Sequence, residues 1–217
     1  NVEQAANAAG ELKDVYNKLM TGLCQMKDIR NSLRRCAAGE TPDHVELFEI
    51  KGYLQRLDGM RPLFEQINAV THFKGMTFHE VKDALAVLDP DGTGSRGFYI
   101  PDSATAKLKE IRSAKKEVEE RLFHAQTDAE KDDLRLKRTR LCGEEDAEEM
   151  HVRKAMGAAL APMVDDLLSD AETAGRLDFI IQKALFAVRY GGVKPELTEK
   201  DLELEDMINP EICDLLE

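Results

Sequence analysis

Apolar residues recur at steps of three and four along most of the chain, the spacing that places side chains on one face of an α-helix. Over residues 11–36 this spacing predicts a helix. Thr41 followed by Pro42 predicts a helix over 41–67, and a capping box of Thr77 and Glu80 predicts a short helix over 77–86. The pattern breaks between residues 88 and 102, where Asp, Pro and Gly indicate turns. Within that break, residues 98–100 form either a short strand or an extended packing segment. The pattern as a whole indicates an all-α protein.

Two longer runs keep the seven-residue repeat of a helix that packs on a partner helix. The first begins at Ser103 and would be about 60 Å long if it continued to Cys142. The line of residues that would face the partner helix, called the seam, consists of Leu108, Ile111, Val118, Leu122, Ala125, Ala129 and Leu136, with Lys115 and Asp132 at two further positions. The second runs from Leu160 to Val188, with a kink or break expected at Pro162. With Gly143 as the break between them, the two runs predict a long antiparallel helical hairpin.

This gives the predicted organisation: a helical core with a long antiparallel hairpin. Residues 1–102 form the first part of the core, and residues 103–190 form the hairpin, with its tip near 134–149. Residues 191–217 return to the core.

The composition fits this organisation. Of the 217 residues, 42% are hydrophobic, 33% are charged and only 6% are aromatic, a balance typical of long solvated helices. No run is long and apolar enough to span a bilayer, so we expect a cytoplasmic protein with no membrane partner and with reduced cysteines.

The formal net charge of −12 repels nucleic acid at long range, so a DNA contact requires a local basic patch. One such patch lies near the predicted hairpin tip. The candidate DNA-contact residues are Lys131, Arg135, Lys137, Arg138 and Arg140. Because a run of acidic residues follows at 144–149, the alternative is that these cations form ion pairs within the hairpin, and mixed-charge helix faces favour that interpretation.

No residue is predicted to be catalytic, to bind a cofactor or to bind a metal. Asp89, Asp91, Thr93 and Gly94 match the first half of a calcium-binding loop, but Ile100 occupies the position of its bidentate Glu. A tight turn is therefore favoured over a calcium site. The five histidines lack zinc-ligand spacing, and the sequence has neither a phosphate-binding loop nor a nucleophile elbow. An enzymatic function is therefore not expected for this segment.

Several segments, in order, resemble the core and lever region of a divergent member of the MutS family of DNA mismatch repair proteins. Residues 29–35 and 45–51 (VELFEIK) resemble the opening of that core. Three short segments resemble the start of the lever in that family: 88–92 (LDPDG), 98–100 (FYI) and 108–112 (LKEIR). Two further segments resemble the part where the lever returns into the core: 177–184 (LDFIIQKA) and 193–196 (VKPE).

The resemblance implies a non-catalytic core, lever and clamp segment of a DNA mismatch repair ATPase, coupling ATP state to the gripping of DNA. It implies an ATPase domain after Glu217, with ATP and Mg²⁺ as cofactors of the parent protein and none in this segment. It also implies weak binding of double-stranded or branched DNA and a homodimer in the intact protein. The segment lacks the mismatch-reading domain of the family. The alternative is a helical scaffold or protein-interaction domain unrelated to DNA.

Overall fold

The computed structural model describes residues 1–196, 199 and 207–216, and each regular element in that part of the chain is helical. The prediction of an all-α fold with a helical hairpin is therefore confirmed. The helices are α1 (Val2–Ala8), α2 (Lys13–Cys24), α3 (Arg30–Ala37), α4 (His44–Thr71), α5 (Lys82–Leu88), α6 (Ala106–His124), α7 (Asp128–Leu160), α8 (Val164–Arg189) and α9 (Pro210–Leu216). Two short 3-10 turns occur at Asp102–Ala104 and Ala161–Met163. Among the described helices, none combines the length and apolar character needed to cross a membrane.

The chain divides into two compact units. Unit 1 contains residues 1–25, residues 59–78 and the described residues from 170 onward. Its core includes Tyr16, whose hydroxyl donates to the Ala5 carbonyl at 3.0 Å, and the edge-on ring pair of Phe64 and Phe78. In α8, the buried positions Leu177, Ile181 and Ala184 form one face of the helix. Of these three only Ile181 belongs to the predicted seven-residue repeat, whose last member, Val188, is 54% exposed.

Unit 2 contains residues 26–58 and 79–169. Its core is formed by α3, the first half of α4, α5 and the bases of α6 and α7. The largest fully buried side chains of this core include Ile29, Leu33, Leu47, Ile50, Leu54, Leu57, Leu88, Ile100 and Leu108. Residues 98–100 belong to neither a helix nor a strand, and Ile100 packs into the core as a buried side chain.

The hairpin lies in unit 2 and is formed by α6 and the first half of α7. Contacts between the two helices run from Thr105 with Glu148 to Glu119 with Arg138. As residue number rises along α6, the partner's number falls along α7, so the two helices are antiparallel. The connecting turn consists of residues 125–127, because Ala125 is extended and Thr127 caps α7 by accepting a hydrogen bond from Glu130 N.

The position predicted for the hairpin turn is wrong. Helix α7 continues without interruption through Gly143, and residues 134–149 lie inside it rather than at a tip. The cause is local capping chemistry: Thr127 and Glu130 have the Thr-x-x-Glu spacing of a capping box, which starts a new helix. The seam residues predicted beyond Leu122 are therefore not on α6, and Leu136 is 72% exposed.

Two other helix boundaries test the sequence-based expectations. The single helix predicted over residues 11–36 is wrong, because α2 ends at Cys24 and α3 starts at Arg30. Asp28 accepts a hydrogen bond from the backbone N–H of Arg30 at 3.1 Å, which starts α3 separately. The break predicted at Pro162 is confirmed, since a 3-10 turn containing this proline separates α7 from α8.

Candidate nucleic-acid interface

The five candidate DNA-contact residues all lie in the first half of α7, and three of them form ion pairs. Arg135 pairs with Asp132 at 3.2 Å and Arg140 with Glu144 at 2.9 Å, both along α7. Arg138 pairs with Glu119 of α6 at 2.8 Å. The remaining two, Lys131 and Lys137, form no ion pair with any residue that the structure describes. Ion pairing within the hairpin thus accounts for three of the five cations and leaves two lysines available.

The structure does not gather the five cations into one patch. Lys131, Arg135 and Arg138 share a face of α7, because they follow one another at steps of four and three. Lys137 and Arg140 lie on the other side, and the buried Leu134 falls between the two groups around the helix. A nucleic acid that contacted all five would therefore have to touch both flanks of α7.

The hairpin differs from the rest of the chain in its charge. Helices α6 and α7 together carry thirteen basic and thirteen acidic side chains, whereas the whole chain has a net charge of −12. The whole of this acidic excess therefore lies outside α6 and α7. A polyanion approaching α6 and α7 is therefore repelled less strongly than the net charge of the chain implies.

Arg112 joins the two hairpin helices to the segment that precedes them. Its guanidinium donates to Glu145 Oε1 at 2.9 Å and to Glu149 Oε1 at 2.7 Å, both on α7. It also donates to the Ile100 carbonyl at 2.8 Å and to Asp102 Oδ1 at 2.5 Å. Burial alone would lower the pKa of Arg112, but the hydrogen bonds to its acidic partners outweigh burial and raise the pKa. One side chain thus fixes the base of the hairpin to residues 100–102.

Two acidic residues of α7, Glu145 and Glu148, are buried against α6. Glu145 also accepts from Lys115, while Glu148 accepts from Lys107 at 2.9 Å and from the Thr105 hydroxyl at 2.9 Å. Burial would raise the pKa of Glu145, but the hydrogen bonds from Lys115 and Arg112 outweigh it and hold the pKa below its usual range. Hydrogen bonds from Lys107 and Thr105 likewise lower the pKa of Glu148.

The loop after α5 is a tight turn, which is the favoured interpretation of the calcium-like sequence. The Asp89 carboxylate accepts hydrogen bonds from Thr93 N at 3.2 Å and from Gly94 N at 2.8 Å. The buried ammonium of Lys51 lies 3.5 Å from the same carboxylate. Asp89 is therefore occupied by donors from its own loop and by a cation. Among the described residues, no group of three or more His, Cys, Asp or Glu side chains is arranged to hold a metal ion.

The comparisons with known proteins give no family for this chain. No protein-family model matches it, and the comparison with curated proteins found no match. What the hairpin does must therefore be inferred from its own residues and geometry.

Proposed function

We propose that this chain is a non-catalytic core and lever segment of a MutS-like DNA mismatch repair ATPase. In that role it passes the ATP state of a separate domain to the part of the protein that grips DNA. ATP and Mg²⁺ would bind in the ATPase domain of the parent protein. Double-stranded or branched DNA would contact the hairpin weakly, and the intact protein would act as a homodimer.

The segments that resemble the family supply much of the buried core, which supports the proposal. Twelve of their apolar side chains are buried: Ile29, Leu33, Leu47, Ile50, Leu88, Ile100, Leu108, Ile111, Leu177, Ile180, Ile181 and Ala184. Core positions determine how helices pack, so a resemblance carried by them bears on the fold more than one carried by surface residues. The resemblance to the start of the lever, 108–112, falls on the first turns of α6 and includes Arg112.

The observation that carries the proposal is the chain of ion pairs along the hairpin. These pairs join α6 to α7 from Lys107 with Glu148, through Arg112 and Lys115 with Glu145, to Glu119 with Arg138. A helix pair packed and cross-linked along its length moves as a unit, which is what a lever requires. Its balanced charge also lets DNA approach it with less repulsion than the net charge of the chain implies.

DNA binding by the chain, measured by fluorescence anisotropy against salt concentration, tests the proposal. We expect binding of duplex or branched DNA at low ionic strength that weakens as salt is added, because phosphate contacts release counterions. Changing Lys131, Arg135, Lys137, Arg138 and Arg140 to Glu should weaken binding by at least about tenfold, since several phosphate contacts are lost.

A matched control separates a local contact from overall charge. Five exposed cations outside the hairpin, changed to Glu together, give the same change in net charge: Lys13, Lys18, Arg34, Lys74 and Lys82. We expect this variant to bind within about threefold of the unchanged chain at moderate salt, where long-range repulsion is screened. No binding at the lowest salt, or equal losses in both variants, would show that the hairpin does not contact DNA.

A second function, a helical scaffold unrelated to DNA, is favoured by one observation. Helix α8 exposes two phenylalanines on the face opposite its buried side, and exposed aromatic patches mark interaction surfaces. The DNA-binding experiment separates the two functions, because a scaffold of this kind requires no salt-sensitive affinity for DNA.

A further inference from the structure

Helix α8 carries a second seam on the side opposite its buried face. Arg176, Phe179, Lys183, Phe186 and Tyr190 follow one another at steps of three, four, three and four residues. This is the spacing of the contact positions in a helix that packs lengthwise on another helix. The buried residues Leu177, Ile181 and Ala184 face the other way, into unit 1. The helix is therefore patterned for contacts on two sides.

The second seam is exposed in the structure. Phe179 is 63% exposed and Phe186 is 54% exposed. The Lys183 ammonium lies over the Phe179 ring at 5.3 Å from its centre, and the Phe186 and Tyr190 rings are 4.7 Å apart. Apolar rings and cations thus alternate along one line of the helix surface.

The two cations of this seam have no acidic partner among the residues that the structure describes. The positions that flank the seam from 175 to 189 also carry no acid: they are Gly175, Ile180, Gln182, Ala187 and Arg189. In paired helices, opposite charges at and beside the seam select the partner. An acidic partner would supply the opposite charges that these two cations lack among the described residues.

We propose that this seam is a docking surface for an amphipathic helix of a partner protein or domain, with acidic residues beside its apolar positions. The seven-residue spacing favours a helix over a nucleic acid, whose bases do not follow that repeat. A second copy of the chain is disfavoured, because pairing two seams brings Arg176 and Lys183 of both copies into one short stretch without a compensating acid.

Helix α9 shows the same complementarity at one end of the seam. Its Asp214 accepts from Arg189 Nη2 at 2.7 Å and from the Tyr190 hydroxyl at 2.6 Å. The same short helix exposes Ile212 and Leu215. An acidic helix with apolar residues is therefore already in contact with this end of α8, and the rest of the seam, from Arg176 to Phe186, offers the same chemistry to a longer helix.

The proposal is tested with two labelled designed helices of about 20 residues, the length that covers the seam. One carries leucines along one face and glutamates beside them, and in the other each glutamate is replaced by lysine. We expect the acidic helix to bind the full chain at least about tenfold more tightly than the basic one, measured by fluorescence anisotropy. The double variant Arg176→Glu with Lys183→Glu should reverse that preference, because the charges of the seam are then inverted.

Two further variants test the apolar residues of the seam separately from its charges. Phe179→Ser with Phe186→Ser should abolish binding of both peptides. Val188→Ser, at another exposed apolar position of α8 outside the seam, should leave binding unchanged. Circular dichroism of all variants should match that of the unchanged chain, since the substituted side chains are exposed.

Three outcomes would overturn the proposal. Equal affinity for the acidic and basic helices would show that the seam has no charge preference. Tighter binding of labelled oligothymidine, lost in the Phe179→Ser, Phe186→Ser variant, would make the ligand a nucleic acid. A dimer by light scattering that the same variant dissociates would make the occupant a second copy.

Discussion

At the scale of single residues, the charged groups between α6 and α7 determine how firmly the hairpin is held. Arg112 is surrounded by three carboxylates and a carbonyl and is only 12% exposed on its side chain. A buried charge that loses its partner costs more than the pair contributes when intact. Substitutions in this cluster should therefore have larger effects than substitutions in the surface pairs further along α7.

Arg112→Met keeps the apolar stem and removes the charge. It leaves the buried Glu145 with Lys115 alone, so the free energy of unfolding should fall by about 3 kcal/mol in urea titrations. Arg140→Met is the matched control, because Arg140 pairs with Glu144 on an exposed face and its side chain is 81% exposed. Its effect should stay below about 0.5 kcal/mol. Equal effects of the two substitutions would contradict the role given to Arg112.

The same cluster predicts how stability depends on pH. The pKa of Glu145 is lowered from its ordinary 4.5 in the folded chain, so ionised Glu145 stabilises the fold at pH values above 4.5. That contribution is lost as pH falls below 4.5 towards the lowered pKa, and Glu148 acts in the same direction. The Tm should therefore decrease as pH is lowered below about 4.5. Glu145→Gln should have a lower Tm at pH 7 and a shallower decrease in acid; a decrease as steep as in the unchanged chain would contradict this assignment.

At the scale of elements, helix type was predictable from the spacing of apolar residues, whereas helix ends depended on individual polar side chains. The buried positions Leu160, Val164, Leu167 and Ile181 follow the predicted repeat. The position of the hairpin turn could not be predicted from this repeat, because the apolar spacing continues by chance across residues 125–127. Thr127 and Glu130 carried the signal that places the turn there, while the helix-breaking tendency of Gly143 is small enough for α7 to absorb.

Gly143 provides a direct test of the element assignment. In α7 a Cβ at this position would meet no atom within 4 Å, so Gly143→Ala should stabilise the chain by about 1 kcal/mol through helix propensity. Gly157 of the same helix is the contrast, because a Cβ there would lie 2.8 Å from Pro42 Cδ. Gly157→Ala should destabilise by about 1–3 kcal/mol through overpacking. Destabilisation by Gly143→Ala in urea titrations would instead favour a turn at that residue.

At the scale of the whole molecule, the sequence predicted the fold class and the presence of a hairpin but not the charge network inside it. The sequence places Lys115 at a seam position, and its acidic run at 144–149 predicts ion pairs with the basic cluster at 131–140. Glu145 and Glu148 are buried because they meet Lys107, Arg112 and Lys115 of α6. Which helix faces they contact depends on the position of the turn, so the network could not be predicted once the turn was misplaced.

The most direct test of a DNA contact at the hairpin is photo-crosslinking from a single position. Leu136 is 72% exposed and lies among the basic residues of α7, whereas Val45 of α4 is 62% exposed and lies outside the hairpin. A photoreactive side chain at Leu136 should form an adduct with labelled branched DNA that diminishes as salt is raised, and the same group at Val45 should not. An adduct of equal yield at both positions, or none at Leu136, would contradict the proposed role of the hairpin.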